Sequence, residues 1–164
     1  MQIYNSLTQN KEEFQVINPP KLNIYSCGVT VYDDCHIGHA RSLYIFEIVK
    51  RYLKYRGFDV CFVRNITDID DKIIKRANEL QVNWSDLVAK YIESYYEDLT
   101  ALGLEKADSE PRATENISGM IKHIQGLIDK GYAYPSKTGV YFSVRKFKDY
   151  GKLSKQSVDQ MLVG

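Results

Sequence analysis

Residues 32–41 read YDDCHIGHAR and set His36 and His39 three positions apart, with Gly38 between them, just ahead of a long amphipathic run. Two imidazoles at that spacing admit three chemistries. They could ligate a metal with Cys27 and Cys35. That spacing matches no zinc knuckle, however, and the adjacent Cys35 and His36 would not readily converge on one tetrahedral ion. They could hold a nucleotide phosphate, because ring N–H groups can donate to phosphoryl oxygens as charge builds there. They could also sit in an ordinary polar loop, since H-x-x-H by itself is a weak pattern. Gly38 suits the second chemistry, because a residue without a side chain lets a flat base or ribose approach the backbone.

Other residues carry a functional and a plain reading side by side. Cys27 ends an apolar stretch, where a lone cysteine is a small hydrophobe as readily as a soft ligand. Gly28 and Thr30 follow at what reads as a strand-end turn, and Thr67 reads as a helix N-cap. Asp68, Asp70 and Asp71 would offer oxygens to Mg²⁺, but acids in a first helical turn more commonly complement the helix dipole. Cys61 falls in an apolar run and is expected in the core. His123 lies beside Lys122 and Gln125 and is expected on a solvated helix face.

The elements that must position these residues follow from periodicity. KLNIYSCGV (21–29) mixes β-branched and aromatic residues up to Gly28, which predicts a strand running into a loop. Over 40–56 the period becomes helical. Ile45, Ile48, Val49, Tyr52 and Leu53 form one stripe, expected to be the core face. Glu47, Lys50, Arg51 and Lys54 form another, expected to be solvated, and Gly57 caps the end. FDVCFVRN (58–65) has the continuous apolar centre of a strand buried on both faces. Strand, helix and strand make a βαβ unit with the histidine pair beyond a strand's carboxyl end, where α/β sheets bind ligands. A helix N-terminus there adds unpaired amides suited to phosphate.

Thr67 then opens a second helix in TDIDDKIIKRANEL. Further helices are predicted over 85–102, ending at Gly103, and 114–130, ending at Gly131. YAYPSKTGVYFSV predicts a hairpin with its turn bounded by Pro135 and Gly139. The tail KLSKQSVDQMLVG carries no clear element. A nucleotide-binding sheet usually needs about five parallel strands, and only two good candidates stand here, so the chain reads as the first part of something longer.

The 164 residues, 44% of them apolar, suffice for one domain or one with part of a second. Net charge is +1, from 22 basic and 21 acidic residues, and argues for no particular partner. The opening segment lacks the apolar core of a secretory signal, and no apolar run approaches transmembrane length. Three cysteines form no disulfide framework, so reduced thiols in a cytoplasmic protein with no membrane contact are expected.

CGVTVYDDCHIGHAR followed by VRNITDIDDKIIKRA resembles the amino-terminal half of a cysteinyl-tRNA synthetase, a class I aminoacyl-tRNA synthetase. The likeness extends to NSLTQNKEEF near the start, EPRAT at 110–114 and KGYAY at 130–134. It implies an α/β fold, the first part of a class I Rossmann-like catalytic domain over 1–109, with 110–164 beginning an inserted α+β connective domain. It implies ATP-dependent activation of cysteine and transfer to tRNA(Cys) by a monomer, with ATP and its Mg²⁺ as substrate. His36, Gly38 and His39 would hold ATP, the two histidines assisting adenylate formation. Gly28, Thr30 and Thr67 would line the amino-acid pocket.

Cys27 would be one ligand of a Zn²⁺ whose other ligands lie in a later segment. Thiolate-loving zinc would accept the sulfur of cysteine and reject serine's hydroxyl. Lys50, Arg51, Lys54 and Arg56 form a basic face that a solvated helix explains as well as contact with tRNA phosphates. KLSKQ superficially resembles the family's lysine loop but lacks its KMSKS pattern, so the chain alone is expected to be inactive.

Three rivals stand beside this. The paralogous ligase joining cysteine to an amino sugar in mycothiol synthesis tends to read PYD and HLGH where this chain has VYD and HIGH. A non-catalytic nucleotide- or zinc-binding module would lack a KMSKS-like motif in flanking sequence. A small nucleotidyltransferase with HxGH leaves CGVTVYD and NITDIDDK unexplained.

Overall fold

A computed structural model describes residues 1–157. They pack as two units: Val16–Ile117, and Met1–Gln15 with the described residues from Ser118 on. In the second unit β1 (Gln2–Asn5) and β2 (Asn10–Glu13) pair antiparallel around a turn in which Gln9 takes φ +59°. Periodicity does not reveal this hairpin. Its strands have four residues each, are mostly exposed and show no apolar alternation.

In the Val16–Ile117 unit, β3 (Lys21–Ser26), α1 (Ile37–Tyr55) and β4 (Asp59–Arg64) form the expected strand–helix–strand unit. The two strands pair in parallel, from Lys21↔Asp59 to Ser26↔Arg64. On the other edge of β4 runs 108–113, without regular strand geometry but bonded to it. Arg64 N donates to Ser109 O and Ile66 N to Pro111 O, both at 3.0 Å. The EPRAT motif (110–114) begins in this segment, and its contacts show what it does. Glu110 pairs with buried Arg64 (3.3 Å), and Thr114 donates through its amide and hydroxyl to buried Asp68.

Next come α2 (Asp71–Leu80) and α3 (Trp84–Ala101), capped by the side chains of Asp70 and Asn83. Both pack over a core built on Val31, Leu43, Ile66, Ile73 and Tyr91. Gly103 follows α3 at φ +67°, a left-handed turn that favours glycine. After a short 3₁₀ turn, α4 (Ile117–Asp129) carries His123 on an exposed face as expected. The predicted hairpin follows as β5 (Ala133–Ser136) and β6 (Gly139–Phe142). Phe142 makes ring contacts with Tyr132, Phe147 and Tyr150. Within the tail, 152–157 contains turns only, and 158–164 lie outside the described residues. Among the described residues no helix is long and apolar enough to cross a membrane.

Three expectations are corrected. On α1 the buried residues are Leu43, Glu47, Lys50 and Leu53, while Ile45 and Ile48 are 51% and 60% exposed. Both stripes have helical period, so period cannot choose between them. The choice is made by charge pairing: Lys50 Nζ meets Glu47 and Glu105 at 2.8 Å each, and Arg51 Nε meets Glu47 at 2.6 Å. Ionised groups tolerate burial when paired this way. Lys50 therefore leaves the proposed basic face. Burial disfavours its charge, yet its hydrogen bonds to Glu105 and Glu47 outweigh that and raise its pKa.

The second correction concerns β4, which is buried on one face only. Val60, Phe62 and Arg64 point inward, and Cys61, expected in the core, is exposed. The third concerns Thr67, which caps no helix. Asp70 does so, its carboxylate accepting from Lys72 N at 2.9 Å, because α2 begins only at Asp71.

Candidate active site

Beyond the carboxyl ends of β3 and β4 the chain carries two groups of candidate residues. The first is the histidine pair. Helix α1 starts at Ile37, three residues earlier than its apolar period suggests, because the histidines supply their own cap. His36 Nδ1 accepts from Gly38 N at 3.0 Å, and His39 Nδ1 accepts from the backbone N of His36 at 3.2 Å. This is a capping box with imidazoles in place of the usual hydroxyl and carboxylate. The rings stack with centroids 3.9 Å apart.

An Nδ1 that accepts carries no proton, so each neutral ring holds its proton on Nε2 and keeps it free to donate. Burial, followed by the charge of His36, lowers the pKa of His39, which favours that neutral form. Gly38 has a stereochemical reason of its own. A Cβ there would lie 2.7 Å from His36 Cε1 and 2.9 Å from Nδ1, pushing the capping ring aside. Sequence reasoning missed this self-capping because histidine is not among the favoured N-cap residues.

The second group spans the strands. Thr30 and Thr67 bridge in parallel, with Thr67 N donating to Val29 O (3.1 Å) and Val31 N to Thr67 O (3.3 Å). Gly28 N donates to Asn65 Oδ1 at 3.0 Å. Its backbone lies so close to the neighbouring strand that a Cβ would sit 1.5 Å from the Asn65 carbonyl oxygen. Cys27 is exposed beside it. No hydrogen bond among the described residues joins this group to the histidine pair.

The loop between them is anchored to the helices. Asp33 meets Arg76 of α2 at 3.3 Å, and Asp34 accepts from Ser94 of α3 at 2.9 Å. Cys35 packs against the core, where burial, with Asp98 and Asp34, raises its thiol pKa and leaves it a poor nucleophile. Asp68 is not a free acid for Mg²⁺, since Thr114 occupies both its oxygens.

A zinc ion asks for thiolate or imidazole donors in a four-coordinate site. Cys27 fits as one such donor, being an exposed thiol at a strand end. Among the described residues no cluster of three or more histidine, cysteine or acidic side chains completes the set. Two hollows lie elsewhere: about 770 Å³ along α3, lined by Ile92, Tyr96 and Lys106 among others, and about 700 Å³ beside β1 and β2. Neither includes any residue of the two groups.

Over residues 13–164 the chain matches the family described as tRNA synthetases class I (C) catalytic domain. It is 54% identical to the cysteine–tRNA ligase of Thermodesulfovibrio yellowstonii over 100% of its own length and 34% of that protein's. The corresponding figures are 53% identity over 100% and 34% for the cysteine–tRNA ligase of Persephonella marina. For that of Aquifex aeolicus they are 51% over 100% and 33%. The chain thus spans about a third of the length of the curated relatives it matches. A parallel strand pair, a histidine-capped helix between its strands and a family match across nearly every residue agree: the chain belongs to the class I tRNA synthetase (C) catalytic-domain family.

Proposed function

We propose that the protein carrying this chain activates cysteine with ATP and transfers it to tRNA(Cys), and that these residues supply the histidine-pair half of the active site. The supporting observation is the self-capped start of α1. It leaves two Nε2–H donors beside a helix N-terminus, where phosphate binds well. In the reaction, a carboxylate oxygen of cysteine attacks the α-phosphorus of ATP and pyrophosphate leaves, giving cysteinyl-adenylate. The terminal ribose of tRNA then displaces AMP.

In this reading the Nε2–H groups of His36 and His39 donate to the phosphate oxygens as charge accumulates in the first transition state. No protein nucleophile is needed, because positioning and preorganised donors carry the rate. Gly38 keeps His36 on its cap and leaves the backbone open to the adenosine. Gly28, Thr30 and Thr67 border the cysteine pocket. Cys27 would be one ligand of a Zn²⁺, which when bound binds sulfur in preference to a hydroxyl and so separates cysteine from serine. The protein would act as a cytoplasmic monomer, and 110–164 would lead into a connective domain.

The test is amino-acid-dependent ATP–pyrophosphate exchange by the full-length protein. Cysteine should support exchange and serine should not. Exchange that ignores cysteine would reject the proposed substrate.

A further inference from the structure

The parallel register of β3 and β4 contains a slip at the candidate amino-acid pocket. Ser26 pairs with Arg64, but the next bridge joins Thr30 to Thr67. Residues 27–29 therefore face only 65 and 66, so β3 carries one extra residue, a bulge of the kind that re-aims side chains beside functional sites.

Burial records the same slip. Along the second strand the inward positions stay even: Val60, Phe62, Arg64, Ile66 and Asp68 are all buried. Along the first they change parity, from Leu22 and Ser26 to Val29 and Val31. In a regular strand Cys27, Val29 and Val31 would share one face, and the thiol would be drawn into the core with the valines. The bulge lets both valines enter the core while Cys27 stays exposed.

A bulge interrupts the ladder and orphans backbone groups. Here one side chain fills the gap. Asn65 Oδ1 accepts from Gly28 N and from Tyr25 Oη, both at 3.0 Å, and Asn65 Nδ2 donates to Thr67 Oγ1 at 3.1 Å. One amide thus ties together the residue after Cys27, the strand before it and the hydroxyl opposite.

We propose that Asn65 is a positioning residue for cysteine specificity, holding the Cys27–Gly28 bulge and the Thr67 hydroxyl in the geometry that receives the substrate. This rests on the reading of Cys27 and Thr67 as pocket residues, and Asn65 itself need not touch the amino acid.

The experiment uses the full-length protein and compares Asn65→Ala, Asn65→Asp and Cys27→Ser in ATP–pyrophosphate exchange, with zinc content measured on each. Losing one partly buried hydrogen-bonded amide should raise the KM for cysteine about tenfold. The KM for ATP should stay within about twofold, since the His36–His39 cap is separate, and zinc content should fall. Asn65→Asp keeps the acceptor for Gly28 N and can accept from the Thr67 hydroxyl, so its KM for cysteine should stay within about threefold of wild type. Should the alanine variant not be recovered folded, Asn65→Gln displaces the amide by one methylene and should show the same split between the two KM values. Unchanged cysteine KM and zinc content in the alanine or glutamine variant, while Cys27→Ser loses both, would overturn the role of Asn65 alone. If Cys27→Ser also left both unchanged, the pocket reading would fall, and this proposal with it. Equal losses in KM for ATP and for cysteine would mean a general structural role and would also overturn it.

Discussion

In the proposed reaction His39 would serve two ends with its two ring nitrogens, and substitutions can separate them. Asparagine places Oδ1 where Nδ1 accepts from His36 N, so His39→Asn keeps the cap and removes the Nε2–H donor. In the full-length protein we expect this variant to lose on the order of a hundredfold to a thousandfold in adenylation rate. The KM for cysteine should change little and the helical circular dichroism should be unchanged. Glutamine, a usual capping-box residue at this position, can accept from His36 N through Oε1 and carries an amide N–H near the place of Nε2, so His39→Gln should lose less, roughly tenfold. Single-turnover pyrophosphate exchange on both variants is the check. If asparagine were the milder change, the Nε2–H donor would not be what the reaction needs. The sequence makes His36, Gly38 and His39 legible as candidates but hides why they are rigid, because hydrogen bonds between the rings and the backbone leave no mark in residue spacing. Asn65 was illegible for the same reason: its partners Tyr25, Gly28 and Thr67 meet it only after the strands have paired.

Helix α1 is the element whose reading changed most. Its existence and its end at Gly57 follow from period and a glycine at φ +85°. Its orientation does not, because the inward stripe holds Glu47 and Lys50 at 5% and 2% exposure. Composition argues against burying those two residues, and their pairing permits it: Lys50 meets Glu47 and also Glu105, fifty-five residues on, while Arg51 meets Glu47. Tyr44 and Arg51 reinforce the attachment by donating to Leu102 O and Gly103 O at 2.9 Å each. Removing the ammonium strips a partner from a carboxylate that stays buried. Lys50→Met should therefore cost about 3 kcal/mol, less whatever Arg51 retains on Glu47. The added substitution Glu47→Gln should recover part of that loss, since the uncompensated charge goes with it. Urea unfolding of the single and double variants measures both. Equal stability of Lys50→Met and wild type would mean that the pairing is incidental.

At the scale of the whole molecule, the βαβ unit, the helices ended by Gly103 and Gly131 and the later hairpin were readable, because period, caps and turn residues are local. The β1–β2 hairpin and the 108–113 segment were not. One is too short and polar to show a pattern, and the other owes its extended form to β4 and to the Arg64–Glu110 and Asp68–Thr114 pairs. The same limit applies to the site. The start of α1 holds two Nε2–H groups, and one exposed thiol lies at the end of β3. Among the described residues no cluster of three or more histidine, cysteine or acidic side chains could hold a zinc ion, and the sequence contains no KMSKS motif. In the proposed function these residues are one part of a divided adenylate-forming site. Cysteine-dependent ATP–pyrophosphate exchange tests it most directly, measured side by side on the full-length protein and on the 164-residue chain at confirmed mass. Exchange is expected from the full-length protein, and none above background from the chain alone. Robust exchange by the 164 residues would contradict it and show that the site is complete within them.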